Sequence, residues 1–137
     1  DNGGVGSNRN RGLDENPNAI TSNRPLRGMK GMLYEGGIRE PMFIVWPGAA
    51  KPGSACSVPV TSTDFYPTLL AMAGLPAKPK QHVDGESLVP LLTRRGSLSR
   101  DAVYWHYPHY GNQGGTPGSS VRDGDWKLVH ANFSPVE

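Results

Sequence analysis

The apolar positions follow three patterns along the chain, and each predicts a different element. Residues 1–28 mix Gly, Asn and Arg without apolar periodicity and read as loop. Met42-Phe43-Ile44-Val45-Trp46 is a continuous apolar run between Pro41 and Pro47-Gly48. A run so short, rich in β-branched and aromatic residues, predicts a strand buried on both faces, as in an α/β sheet. One strand makes no sheet, so the run implies sheet partners outside this chain.

Over residues 62–74 the period changes. Phe65, Leu69 and Met72 recur at i, i+4 and i+7, which predicts a helix with one apolar face. Ser62, Thr63 and Asp64 are acceptable N-caps, and Pro67 falls early, where a lost N–H costs least. Gly74 is placed to end the helix in a left-handed conformation, and Pro76 blocks a restart. A second, shorter helix is expected over Ser87–Thr93. From Val103 the period is two: Val103, Trp105 and Tyr107 alternate with Tyr104 and His106. Ser119–Arg122 and Trp126–Val129 flank Asp123-Gly124-Asp125, a hairpin signal. The chain therefore reads as α/β over residues 1–95, followed by a small antiparallel sheet over 96–137.

Composition narrows the function classes. With 36% apolar residues, 18 glycines and 13 prolines, the 137-residue chain is turn-rich and buries little surface alone. The net charge of +2 is spread without a basic stripe, which argues against a nucleic-acid partner. Cys56 is the only cysteine, so no internal disulfide forms and a cysteine zinc site is not expected. No stretch has the roughly 18 apolar residues of a membrane span. The abrupt start at Asp1-Asn2-Gly3-Gly4 reads like the inside of a site loop, or like a product of proteolytic maturation.

Two segments carry candidate chemistry. Asp1 and Asn2 offer hard oxygen donors suited to Ca²⁺ or Mg²⁺, although Asp-Asn-Gly is also ordinary turn chemistry. Lys30 stands among glycines in Gly28-Met29-Lys30-Gly31, where its ammonium could approach an oxyanion and offset charge on a transferring group. Its bland alternative is a solvated loop lysine.

Asp1-Asn2-Gly3-Gly4, then Gly28-Met29-Lys30-Gly31-x-x-Tyr34-Glu35-Gly36-Gly37-x-Arg39-x-Pro41, resembles the type I sulfatase family. The resemblance continues through Trp46-Pro47-Gly48, Thr63–Leu70 with Ala73-Gly74-Leu75, Asp84-Gly85-x-Ser87-Leu88 and Arg122–Leu128. It implies the C-terminal part of an alkaline phosphatase-like α/β sulfatase fold that ends in a small antiparallel sheet. It further implies a sulfuric ester hydrolase with one Ca²⁺, for which Asp1 and Asn2 match two ligands and the rest lie outside this chain. Lys30 matches the lysine that contacts sulfate, and the family's habit implies a periplasmic or extracellular location.

The departures bear on activity. No Cys-x-Pro-x-Arg formylglycine motif occurs, and Cys56 in Ala55-Cys56-Ser57-Val58-Pro59 does not supply one. The early acidic calcium ligands and the family's catalytic lysine and histidine equipment are also missing, so this chain alone is not expected to catalyse. His106 and His109, in Trp105-His106-Tyr107-Pro108-His109-Tyr110, could hold the sugar of a sulfated glycan, a stretch that resembles bacterial glycan sulfatases. The bland alternative is a strand end whose aromatics pack and whose histidines are at the surface. The expected partners are a sulfated glycan or aryl sulfate and the rest of the parent chain. Two other readings stay open: a phosphatase or phosphodiesterase of the same superfamily, and a carbohydrate-binding module.

Overall fold

A computed structural model of the chain describes residues 3–4, 21–111 and 116–131. Its elements in chain order are α1 (Glu35–Ile38), a 3₁₀ turn (Ser62–Asp64), α2 (Phe65–Met72), α3 (Val89–Leu92), β1 (Ala102–Tyr107), β2 (Gly118–Asp123) and β3 (Trp126–Ala131). They fall into two compact units, Asp1–Phe43 with Tyr104–Glu137, and Ile44–Val103.

The first unit holds α1 and the sheet from Tyr104 onward, and the strand order is β1-β2-β3. The expected hairpin forms: β2 and β3 are antiparallel, and Asp123 pairs with Trp126 across the turn. Gly124 takes φ 53°, the left-handed conformation that so tight a turn demands. The register sets Val121 against Leu128 and Arg122 against Lys127, so these pairs face opposite sides of the sheet. One face leaves Trp126 83% exposed. The other turns Ser120, Arg122 and Lys127 inward, and Ser120 is buried.

In the second unit the organising residue is Asp64, whose side chain is fully buried. Arg100 grips its two carboxylate oxygens through Nη1 and Nη2, each at 2.6 Å. The N–H of Thr61 donates to Oδ2 at 2.8 Å and that of Glu86 to Oδ1 at 3.0 Å. Next to it, Thr68 Oγ1 donates to the Asp64 carbonyl at 2.6 Å and accepts from the N–H of Leu88 at 2.8 Å. Leu88 itself is 2% exposed. The Glu86 carboxylate in turn accepts from the N–H groups of Ser99 and Arg100, at 2.7 and 2.9 Å. Three separate stretches thus meet on two carboxylates.

The helix expected over 62–74 is present with a different start and a different buried face. Thr61 precedes the 3₁₀ turn, and Thr61 and Asp64 bond reciprocally. At the other end the N–H of Gly74 bonds Ala71 and that of Leu75 bonds Leu70, the Schellman pattern, with Gly74 at φ 67°. The buried side consists of Asp64, Pro67 and Thr68, whereas Leu69 on the predicted apolar face is 61% exposed. The polar network beneath α2 decides its orientation. Met42–Trp46 likewise differs from expectation. It forms no strand, and Phe43 and Val45 are 90% and 83% exposed. A strand exists only when neighbours satisfy its backbone, and none of the described residues pairs with this run.

Burial alone would raise the Asp64 carboxyl, but the hydrogen bonds from Arg100, Thr61 and Glu86, with the Arg100 charge, hold it below its ordinary value. Asp64→Ala is expected to cost about 3–5 kcal/mol, because it leaves the Arg100 charge without its partner. A group lowered on folding stabilises above its ordinary pKa and ceases to do so as pH falls through the folded value. The gap in denaturation midpoint between wild type and variant should therefore be constant above about pH 4 and close below it.

Candidate functional site

The segment that carries Lys30 is built on glycine contacts. The N–H of Gly36 donates to the Arg27 carbonyl at 2.7 Å, and that of Met32 to Met29 at 3.0 Å. A Cβ on Gly36 would strike the carbonyl of Gly28 and come within 2.8 Å of that of Arg27. A Cβ on Gly37 would strike the carbonyls of Met29 and Met32. The loop over residues 27–32 is therefore seated directly on the backbone of α1, an approach that only glycine permits. Met29, on the loop itself, is buried at 5% exposure. The Arg27 guanidinium covers the Tyr34 ring at 4.2 Å, closing the loop from outside.

Lys30 is half-buried on this loop. Its backbone N–H donates to the carbonyl of Gly4 at 3.1 Å. The Asn23 side chain reinforces that link by donating from Nδ2 to the same carbonyl at 3.2 Å. The structure thus brings the Gly3-Gly4 end of the first candidate segment onto the second. Asp1 and Asn2 lie outside the described residues. Among the described residues no three His, Cys, Asp or Glu side chains gather as a metal site. One observation beside Gly3 still bears on a cation. Glu40 Oε1 is buried without a hydrogen-bond partner among the described residues, 2.7 Å from where a Gly3 Cβ would stand. A buried carboxylate oxygen is costly unless a donor or a cation meets it, and oxygen donors of this kind suit Ca²⁺.

Behind the loop lies a charge cluster that the sequence alone did not single out. Arg122 Nη1 donates to Glu35 Oε2 at 2.7 Å, and Lys127 Nζ donates to Oε1 at 3.1 Å. Lys127 also stands over the Trp105 ring, 5.2 Å from its centroid. Burial would raise the Glu35 carboxyl, but Lys127 and Arg122 together hold it below the usual glutamate value. Burial likewise pulls the Lys127 ammonium down, and Glu35 only partly restores it. A readable signal existed: a two-residue turn at Gly124-Asp125 puts Arg122 opposite Lys127, and two opposed cations call for an anion.

His106 and His109 lie at and just beyond the end of β1, and both are exposed. His106 Nδ1 is 2.8 Å from Ser119 Oγ across the sheet. The His109 ring meets Tyr107 edge to face, with centroids 5.5 Å apart. Cys56 is exposed and unpaired. No helix among the described residues is long and apolar enough to cross a membrane.

Comparison with known proteins shows the family. The family described as N-sulphoglucosamine sulphohydrolase, C-terminal, matches residues 29–135, and the chain belongs to this sulfatase family. A protein named sulfatase from Formosa agariphila is 40% identical over 95 residues, which are 66% of this chain and 17% of the relative. Human arylsulfatase A is 44% identical over 85 residues, 62% of this chain and 16% of the relative. Rat steryl-sulfatase is 36% identical over 86 residues, 63% of this chain and 15% of the relative. The chain thus spans about a sixth of the length of these relatives. The type I sulfatase resemblance and the α/β sulfatase fold class expected from the sequence both stand.

Gly37→Ala is expected to lower stability by about 1–3 kcal/mol, since an inserted methyl must displace backbone carbonyls. At Gly48, where a Cβ meets nothing, the φ of 80° alone penalises the substitution. Gly48→Ala should cost roughly 1 kcal/mol, so the larger drop in melting temperature at Gly37 would mark the close approach.

Proposed function

We propose that this chain is the C-terminal part of a longer sulfatase that hydrolyses a sulfated carbohydrate or aryl sulfate, with Lys30 contacting the sulfate group. The observation that carries the reading is the link between Lys30 and Gly4, which joins a cation to the segment bearing two oxygen donors. An ammonium held on a rigid loop offsets the charge that develops on the departing sulfate without reorganising. Asp1 and Asn2 would supply oxygen ligands to one Ca²⁺, completed by ligands outside this chain, and that ion would add fixed positive charge beside the anion. Attack on sulfur would belong to residues outside this chain, so the 137 residues alone would not turn over substrate. The exposed Met42–Trp46 run supports this: such a patch is what a missing sheet would cover. Location in the periplasm or outside the cell follows from the family's habit.

A phosphatase or phosphodiesterase of the same superfamily is disfavoured, because the family matched over residues 29–135 and the relatives named above are sulfatases. In the full-length protein, Lys30→Ala should lower kcat/KM on a small aryl sulfate by about 10²–10³, the range for losing one preorganised donor. Lys30→Arg should restore only part of this, because a planar fork does not replace a compact ammonium. A Lys30→Ala enzyme that keeps wild-type kcat/KM would leave Lys30 an ordinary loop lysine.

His106 and His109 are assigned to the sugar rather than to the sulfate. Their exposure beside Tyr107 and Tyr110 suits stacking and hydrogen bonding to a glycan. Alanine at either position should lower kcat/KM on a sulfated glycan and leave a small aryl sulfate nearly unchanged. Equal losses on both substrates would count against sugar recognition.

A further inference from the structure

The hairpin carries an electrostatic problem in its register. Arg122 stands directly opposite Lys127, and like charges on opposed residues repel. Their side chains are only 23% and 13% exposed, so water screens them poorly. Glu35 answers both, with one carboxylate oxygen on each cation. It comes from 87 and 92 positions away in sequence, at the head of α1. The two residues that follow it are Gly36 and Gly37, on whose backbone the Lys30 loop rests with no room for a Cβ. A displacement of α1 therefore moves the loop with it.

We propose that Glu35 is a positioning residue for Lys30: by gripping Arg122 and Lys127 it fixes α1 to the hairpin, and so fixes the backbone from which Lys30 reaches the sulfate group. The role rests on Lys30 being the sulfate contact. It differs from simple stabilisation in one respect, which is that its effect on turnover passes entirely through the Lys30 ammonium. Nothing in it requires Glu35 to touch substrate.

A double-mutant cycle in the full-length protein tests this, with kcat/KM on a small aryl sulfate measured for wild type, Glu35→Gln, Lys30→Ala and the double variant. Glu35→Gln should lower kcat/KM by roughly 10–100-fold, since a misplacement of about 1 Å costs on the order of 10²-fold. In the Lys30→Ala background the same change should cost less than about twofold, because no ammonium remains to be misplaced. Arg122→Gln, which leaves the Lys127 contact in place, should show the same pattern more weakly and carries the cycle if Glu35→Gln does not fold. An equal loss in both backgrounds overturns the proposal and makes Glu35 a structural residue. So does wild-type kcat/KM in Glu35→Gln beside an impaired Lys30→Ala. Wild-type kcat/KM in Lys30→Ala removes the sulfate contact itself and the proposal with it, a failure visible from that single variant.

Discussion

A half-buried carboxylate shared by two cations imposes more on its surroundings than either ion pair would alone. Glu35 must reach Arg122 and Lys127 at once, so it fixes α1 against the inward face of the hairpin. Removing one member of such a cluster leaves a partly desolvated charge without its compensation. The rest of the first unit is arranged around this demand. Trp105 takes the open side of Lys127, and the glycines after Glu35 let the Lys30 loop settle on α1 with backbone against backbone. The Gly4 carbonyl then ties that loop to the segment where two oxygen ligands are expected.

The second unit solves a comparable problem with a different residue. Asp64 is sealed from water and uses both oxygens, accepting from Arg100, Thr61 and Glu86. Its carboxylate joins the start of α2 to stretches 22 and 36 positions later in sequence. Four charge-assisted or backbone hydrogen bonds to one group hold the unit in a single arrangement where apolar burial is thin. Beside Pro67, the buried apolar side chains of this unit among the described residues are Leu88 and Val103. Polar clamps of this kind suit a portion of a larger fold better than a self-sufficient core.

Local chemistry was legible in the sequence and long-range chemistry was not. The hairpin follows from Asp123-Gly124-Asp125 between alternating segments, and the end of α2 follows from Gly74, because each depends on a few neighbouring residues. The family was legible too, through Lys30-Gly31 and Tyr34-Glu35-Gly36-Gly37. By contrast, periodicity placed Phe65 and Leu69 toward a core, whereas Asp64 and Thr68 turn that side of α2 inward. Met42–Trp46 reads as a strand by every local criterion, yet pairing needs partners that the described residues do not provide. The Glu35 and Asp64 clusters join residues tens of positions apart, and no period or motif announces which carboxylate answers which arginine. The roles proposed for Asp1, Asn2, His106 and His109 rest on residue chemistry and on the family resemblance.

The central claim is that the Lys30 loop is held rigidly so that its ammonium meets the sulfate group. A crystal structure of the full-length protein with inorganic sulfate tests it most directly. The account predicts Lys30 Nζ about 2.7–2.9 Å from a sulfate oxygen, the distance of a charge-assisted hydrogen bond, with Glu35 still bridging Arg122 and Lys127. Sulfate bound elsewhere while the Lys30 side chain points into solvent would contradict it.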